Sequence, residues 1–126
     1  MPSAAHTVAN RRKFLIVDDH AAFRRTIRAF LPAGEVTECA DGGDVLARYS
    51  AEHPDWVLMD IEMGAVDGLT ATRQLRQSFP EARVIIVTNH REDDFRQAAR
   101  ELGACGFVEK EHLEELRPII AAQERH

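Results

Sequence analysis

The chain has 126 residues, enough for one domain with its own apolar core. Apolar residues make up 44% and charged residues 29%, the balance of a soluble globular domain, and the net charge of −5 speaks against a nucleic-acid surface, whose footprint is a basic patch. No apolar run approaches bilayer-spanning length, the N-terminus lacks the apolar stretch of a signal peptide, and Cys39 and Cys105 have no metal-ligand spacing, so a cytoplasmic chain with two reduced thiols is expected.

Residues 1–12 are small, polar and without period, and read as a disordered tail before a domain covering 13–126. A buried strand follows at 13–18. A helix then starts at Asp19 or His20, with Phe23, Ile27, Phe30 and Leu31 at helical spacing, and stops at 32–34. Residues 36–40 form a more polar strand suited to a sheet edge. Residues 41–44 form a turn ending on an N-cap, before a helix carrying Val45, Leu46 and Tyr49. A third strand spans 55–60, a loop 61–67, and a helix 68–79 with Leu69, Thr72 and Leu75 on one side. The fourth strand, 83–88, is followed by a loop at 89–92 and a helix at 93–102 that Gly103 caps. The fifth strand spans 105–108, and a last helix runs from about 112 to 124.

Five strands alternate with five helices. That pattern predicts an α/β fold with a parallel five-stranded sheet and helices on both faces. Glycine-rich phosphate loops of the G-x-G-x-x-G or P-loop type do not occur in the sequence.

The apolar runs FLIVDD, WVLMD, VIIVT and GFVEK close on or beside residues that chemistry can use: Asp18 and Asp19, Asp60, Thr88 and Lys110. Open α/β sheets bind ligands at the carboxyl ends of their strands. If the first and third strands are neighbours, Asp18, Asp19 and Asp60 converge. Three adjacent carboxylates repel unless a cation sits among them. Mg2+ takes a few carboxylates, waters and a substrate phosphate, so the cluster predicts a half-built Mg2+ site beside a phosphoryl group. Of 16 basic residues only Lys13 and Lys110 are lysine. A compact ammonium suits a point contact to phosphate, and the Thr88 hydroxyl adds a donor.

These segments, FLIVDDH, VLMDIEM with DGL, VIIVTNH and GACGFVEK, resemble a response-regulator receiver domain of two-component signalling. The middle and C-terminal stretches are most similar to receivers that precede LuxR-type DNA-binding domains. The resemblance implies a flavodoxin-like (βα)5 three-layer sandwich with strand order 2-1-3-4-5. It implies that Asp60 is the phosphoacceptor for a sensor histidine kinase or phosphotransfer protein. Asp18, Asp19, Asp60 and the backbone carbonyl of Glu62 then hold Mg2+, with Mn2+ able to replace it. Thr88 and Lys110 contact the phosphoryl oxygens, and Phe107 is the aromatic that changes rotamer with Thr88. Glu62 and Asn89 tune the lifetime of the phosphorylated form. The face of the fourth helix, fifth strand and fifth helix reads out the state to a downstream effector or a C-terminal output domain outside this chain. The domain itself contacts neither membrane nor nucleic acid, and its oligomeric state is left open. It is a signalling phosphoacceptor rather than an enzyme, with at most weak self-dephosphorylation.

Three features depart from the family pattern. Glu111 stands where a proline, often cis, usually follows the lysine, so the 110–111 bond is expected to be trans. Gly64 and Ala65 replace a proline in the loop after Asp60 and should loosen it. Pro118 falls inside the last helix and should kink it or delay its start. Two other readings compete. A pseudo-receiver would signal by protein binding without phosphorylation. A haloacid-dehalogenase-like phosphohydrolase would use Asp60-Ile61-Glu62 as a relative of its D-x-D motif.

Overall fold

The computed structural model describes residues 12–63, 67–90 and 92–124. Strands β1 (Arg12–Val17), β2 (Gly34–Cys39), β3 (Trp56–Met59), β4 (Val84–Thr88) and β5 (Gly106–Glu109) alternate with helices α1 (Ala21–Phe30), α2 (Val45–Glu52), α3 (Gly68–Ser78), α4 (Asp93–Glu101) and α5 (Leu116–Glu124). All strand pairings are parallel, in the expected order β2-β1-β3-β4-β5.

The sheet is buried on both faces, which is why β1, β3 and β4 are runs of apolar residues rather than alternating ones. Leu15, Val17, Val57, Met59, Val84 and Ile86 face one layer, where Val45 and Tyr49 of α2, Leu75 of α3 and Ala99 of α4 meet them. Phe14, Ile16, Trp56, Leu58, Ile85 and Val87 face the other, against Ile27 of α1 and Leu116 and Ile120 of α5. β2 lies at an edge, as its polar residues required, and β5 forms the opposite edge.

Several boundaries differ from expectation. The expected tail, residues 1–12, lies outside the described residues except for Arg12, which opens β1. There its guanidinium donates to both Glu124 oxygens at 2.8 and 2.9 Å. Asp44 makes no side-chain cap. Instead Asp41 accepts from Gly43 N at 2.8 Å and starts a short 3-10 turn, Gly42–Asp44, that feeds α2. The last helix begins at Leu116, after a 3-10 turn at Lys110–Glu115 interrupted at His112. Pro118 explains the delay: in the first turn of α5 its missing N–H breaks no helical bond. Gly64 and Ala65 lie outside the described residues. Gly103 ends α4 as expected, with φ +85, and Ala104 N–H donates back to Ala99 at 3.0 Å.

Candidate functional site

The register brings the acids together. Val17 pairs with Met59, and the ladder runs one residue further, with Asp60 N–H donating to Val17 at 3.0 Å and Asp18 N–H to Cys39 at 3.0 Å. Asp18 and Asp60 therefore leave the sheet side by side at its carboxyl edge. The buried polar residues among those described are Asp18, Asp60, Thr72 and Thr88. Three of these four are the acids and hydroxyl already marked by the strand ends; Thr72 satisfies its hydroxyl on Gly68 O one turn back at 2.7 Å.

Lys110 reaches this point from the other end of the sheet. Thr88 pairs with Glu109 across β4 and β5, which sets Lys110 at the same edge. Its ammonium lies 2.9 Å from Asp18 Oδ2 and 3.4 Å from Asp60 Oδ2. Phe23 of α1 covers the same ammonium, with its ring centroid 4.3 Å away. Among the described residues no peptide bond is cis, so the 110–111 bond is trans as expected, and Lys110 still reaches both acids.

Burial is the largest influence on Asp60 and disfavours its charged form. Lys110 pulls the other way, Asp18 adds to the rise, and the carboxyl is pushed up to about 6. One ammonium facing two buried carboxylates leaves the pocket short of positive charge. Asp18 Oδ2 also has no donor aligned for a hydrogen bond, despite the nearby ammonium. Asp19 projects at the rim, and ligand atoms of Asp18, Asp19 and His20 lie within 4.8 Å of one another. A buried, under-satisfied carboxylate oxygen beside a second carboxylate fits a hard dication with an oxygen-rich shell.

Thr88 is fully buried, and its Oγ1 accepts from His90 N at 3.2 Å. Glu62 donates its backbone N–H to Asp60 Oδ1 at 3.4 Å, while its exposed side chain meets His90 Nε2 at 3.3 Å. Asn89 is exposed on the loop after β4. Phe107 packs on the α2–α3–α4 layer, with the Arg96 guanidinium 4.5 Å from its ring centroid. A cleft of about 710 Å3 opens alongside, lined by Asp19, His20, Glu62, Asp67, His90 and Phe95 among others.

Sequence reasoning missed three participants. His20 closes the FLIVDDH segment and places Nδ1 2.9 Å from Asp19 Oδ1. His90 lies within VIIVTNH, yet only the fold shows it bridging toward Glu62. Phe23 carried the signal of an ordinary core residue, because helical spacing says nothing about a cation over its ring.

The family model described as "Response regulator receiver domain" matches residues 14–121. The chain belongs to the response regulator receiver domain family. The receiver domain is 37% identical over 120 residues to the response regulator GacA of Pseudomonas aeruginosa, covering 88% of this chain and 56% of that protein. It is 35% identical over 116 residues to the transcriptional activator protein ExaE of Pseudomonas putida, covering 85% of this chain and 54% of that one. The chain thus spans about half the length of these relatives. A crystal structure of a LuxR-family two-component response regulator from Aurantimonas superposes with a TM-score of 0.83 at 35% identity, over 90% of this chain and 84% of the other. The domain is therefore the receiver of a two-component response regulator, a signalling module rather than a conventional enzyme. Among the described residues no helix is long and apolar enough to cross a membrane.

Proposed function

We propose that this receiver works in the cytoplasm, accepts a phosphoryl group on Asp60 from a sensor histidine kinase or phosphotransfer protein, and passes the state to an effector or output domain. The observation that carries this reading is the placement of Lys110 between the buried carboxylates of Asp18 and Asp60.

Asp60, ionised, attacks phosphorus through a carboxylate oxygen. The bond from phosphorus to the donor's imidazole nitrogen breaks, and that nitrogen leaves with the bonding pair and is protonated as neutral imidazole. The product is an acyl phosphate on Asp60. Asp18, Asp19, Asp60 and the Glu62 carbonyl would hold Mg2+, which when bound supplies positive charge to the phosphoryl oxygens. Lys110 offers a second positive charge and can leave Asp18 for those oxygens. Thr88 exchanges its contact with the His90 amide for a phosphoryl oxygen, and Phe107 follows into the space vacated. Because Thr88 and Lys110 sit on different loops, the acyl phosphate ties two elements to one point and biases the α4–β5–α5 face. Glu62 and Asn89 flank the route of attacking water and set the lifetime of the acyl phosphate.

The test is incubation with acetyl phosphate and Mg2+, followed by intact-mass spectrometry. One phosphoryl group should be gained by the wild type and none by Asp60→Asn. No gain in the wild type would support the pseudo-receiver, and steady turnover of a small phosphate ester would support a phosphohydrolase.

A further inference from the structure

We propose that Phe23 is the positioning residue for Lys110, its ring face holding the ammonium over the acidic pair. The Lys110 ammonium lies 4.3 Å from the Phe23 ring centroid, and the lysine side chain is only 10% exposed. A cation over an aromatic face within about 6 Å is attracted by the ring quadrupole, most strongly where water is excluded. Two sides of the ammonium face Asp18 and Asp60, and the ring covers another.

The backbone gives Lys110 little guidance. It opens a 3-10 turn that His112 interrupts, with Glu111 in place of a rigid proline, and its four-carbon stem is flexible. Phe23, by contrast, is held firmly relative to Asp18. Its own N–H donates to His20 O at 3.0 Å, and the next residue, Arg24, donates to Asp18 O at 2.6 Å and to Glu38 Oε1 at 2.7 Å. The first turn of α1 is thereby bolted to the loop that carries the acids, and the ring packs on the α1–α5 side of the core. A ring face is also less directional than a carboxylate. The ammonium can slide along it from Asp18 toward an incoming phosphoryl group without losing its support.

The contact itself is independent of phosphorylation; its kinetic consequence rests on the phosphoacceptor reading. The chain has two lysines, Lys13 and Lys110, so ε-13C-lysine labelling of the full chain yields two side-chain NMR signals, assigned with a Lys110→Arg variant. In wild type the Lys110 ε-protons should be shifted upfield by the ring current. Phe23→Leu, which keeps an apolar side chain, should lose that shift and slow labelling by acetyl phosphate about tenfold, the size of a partly desolvated cation–π contact. Phe23→Tyr should retain the upfield shift and most of the rate. Circular dichroism checks that each variant is folded. A folded Phe23→Leu protein labelled at the wild-type rate, or a Phe23→Tyr protein as slow as Phe23→Leu, overturns the proposal. Wild type that takes no label at all would instead refute the phosphoacceptor reading, and the ring-current comparison would still decide the contact.

Discussion

Gly68 stands directly under the backbone carbonyl of Asp60: a side-chain carbon built on this glycine would collide with that oxygen and with the Ile61 α-carbon. Gly68 N–H donates to Ile61 O at 2.8 Å, which ties the start of α3 to the residue after Asp60, and Asp67 caps α3 by accepting from Thr70 N at 2.8 Å. The proposed phosphoacceptor is thus seated on the first turn of α3. Gly68→Ala should destabilise the domain by about 1–3 kcal/mol, the range for forced overpacking, and displace Asp60. Urea unfolding should report the loss, and acetyl phosphate labelling should slow in the fraction that remains folded.

Asp60 gives a pH dependence of definite sign. Its native carboxyl is pushed from the ordinary 3.8 up to about 6, mainly by burial. An acid with a raised native pKa binds its proton more tightly when folded, so its contribution favours folding increasingly as pH falls from about 6 toward 3.8. Above that window the buried charge costs the wild type up to roughly 3 kcal/mol. Asp60→Asn should therefore be more stable than wild type at pH 7 to 8 in chelator, with the advantage vanishing near pH 4. The comparison isolates Asp60 from Glu38, Glu52 and Glu124. Hydrogen bonds, chiefly from Arg28, Thr37 and Arg12 respectively, hold those carboxyls below their usual range, and their stabilisation is lost on acidification.

The same protonation should govern labelling. As the proposed phosphoacceptor, Asp60 attacks only when ionised, so the rate at saturating acetyl phosphate should fall as pH drops through about 6 at low Mg2+. High Mg2+ should move that fall to lower pH, since a cation at Asp18, Asp19 and Asp60 favours the carboxylate. A profile whose midpoint ignores Mg2+ would contradict the site assignment.

Trp56 opens β3, and Asp60 follows the same strand, so about 13 Å of extended chain separates them at ~3.3 Å per residue. The indole is buried, donates to Glu124 Oε2 at 3.4 Å and lies under the Arg83 guanidinium at 4.3 Å. Its emission should change strongly on unfolding and scarcely at all in an Mg2+ titration of the folded domain. Strong quenching by Mg2+ would place metal elsewhere than the acidic pair.

Arg96 clamps the proposed switch aromatic, lying 4.5 Å over the Phe107 ring and 3.2 Å from Glu109. Both contacts are partly exposed, so Arg96→Ala should cost only about 1 kcal/mol of stability. It should nevertheless speed Phe107 rotamer exchange, visible as narrower aromatic NMR lines, and shift the unphosphorylated α4–β5 region toward the phosphorylated spectrum.

Much of this architecture could be read along the chain. Strands covered on both faces must be apolar where they are covered, so β3, β4 and residues 14–17 of β1 announce themselves, and an Asp or Thr closing such a run stands out as a candidate for a site. Pro118 marked the late start of α5 because proline is tolerated only where no helical N–H is needed. Three-dimensional packing settled what local pattern leaves open. Asp44 looked like a cap, yet Asp41 takes that role because the chain enters α2 through a 3-10 turn. Phe23 had the spacing of a core residue, and its ring faces a cation whose backbone lies 87 positions away. Lys110 meets Asp60 across 50 residues of sequence. Such meetings depend on strand order, crossover hand and helix tilt. Those are properties of the whole packed sheet, and no single segment encodes them.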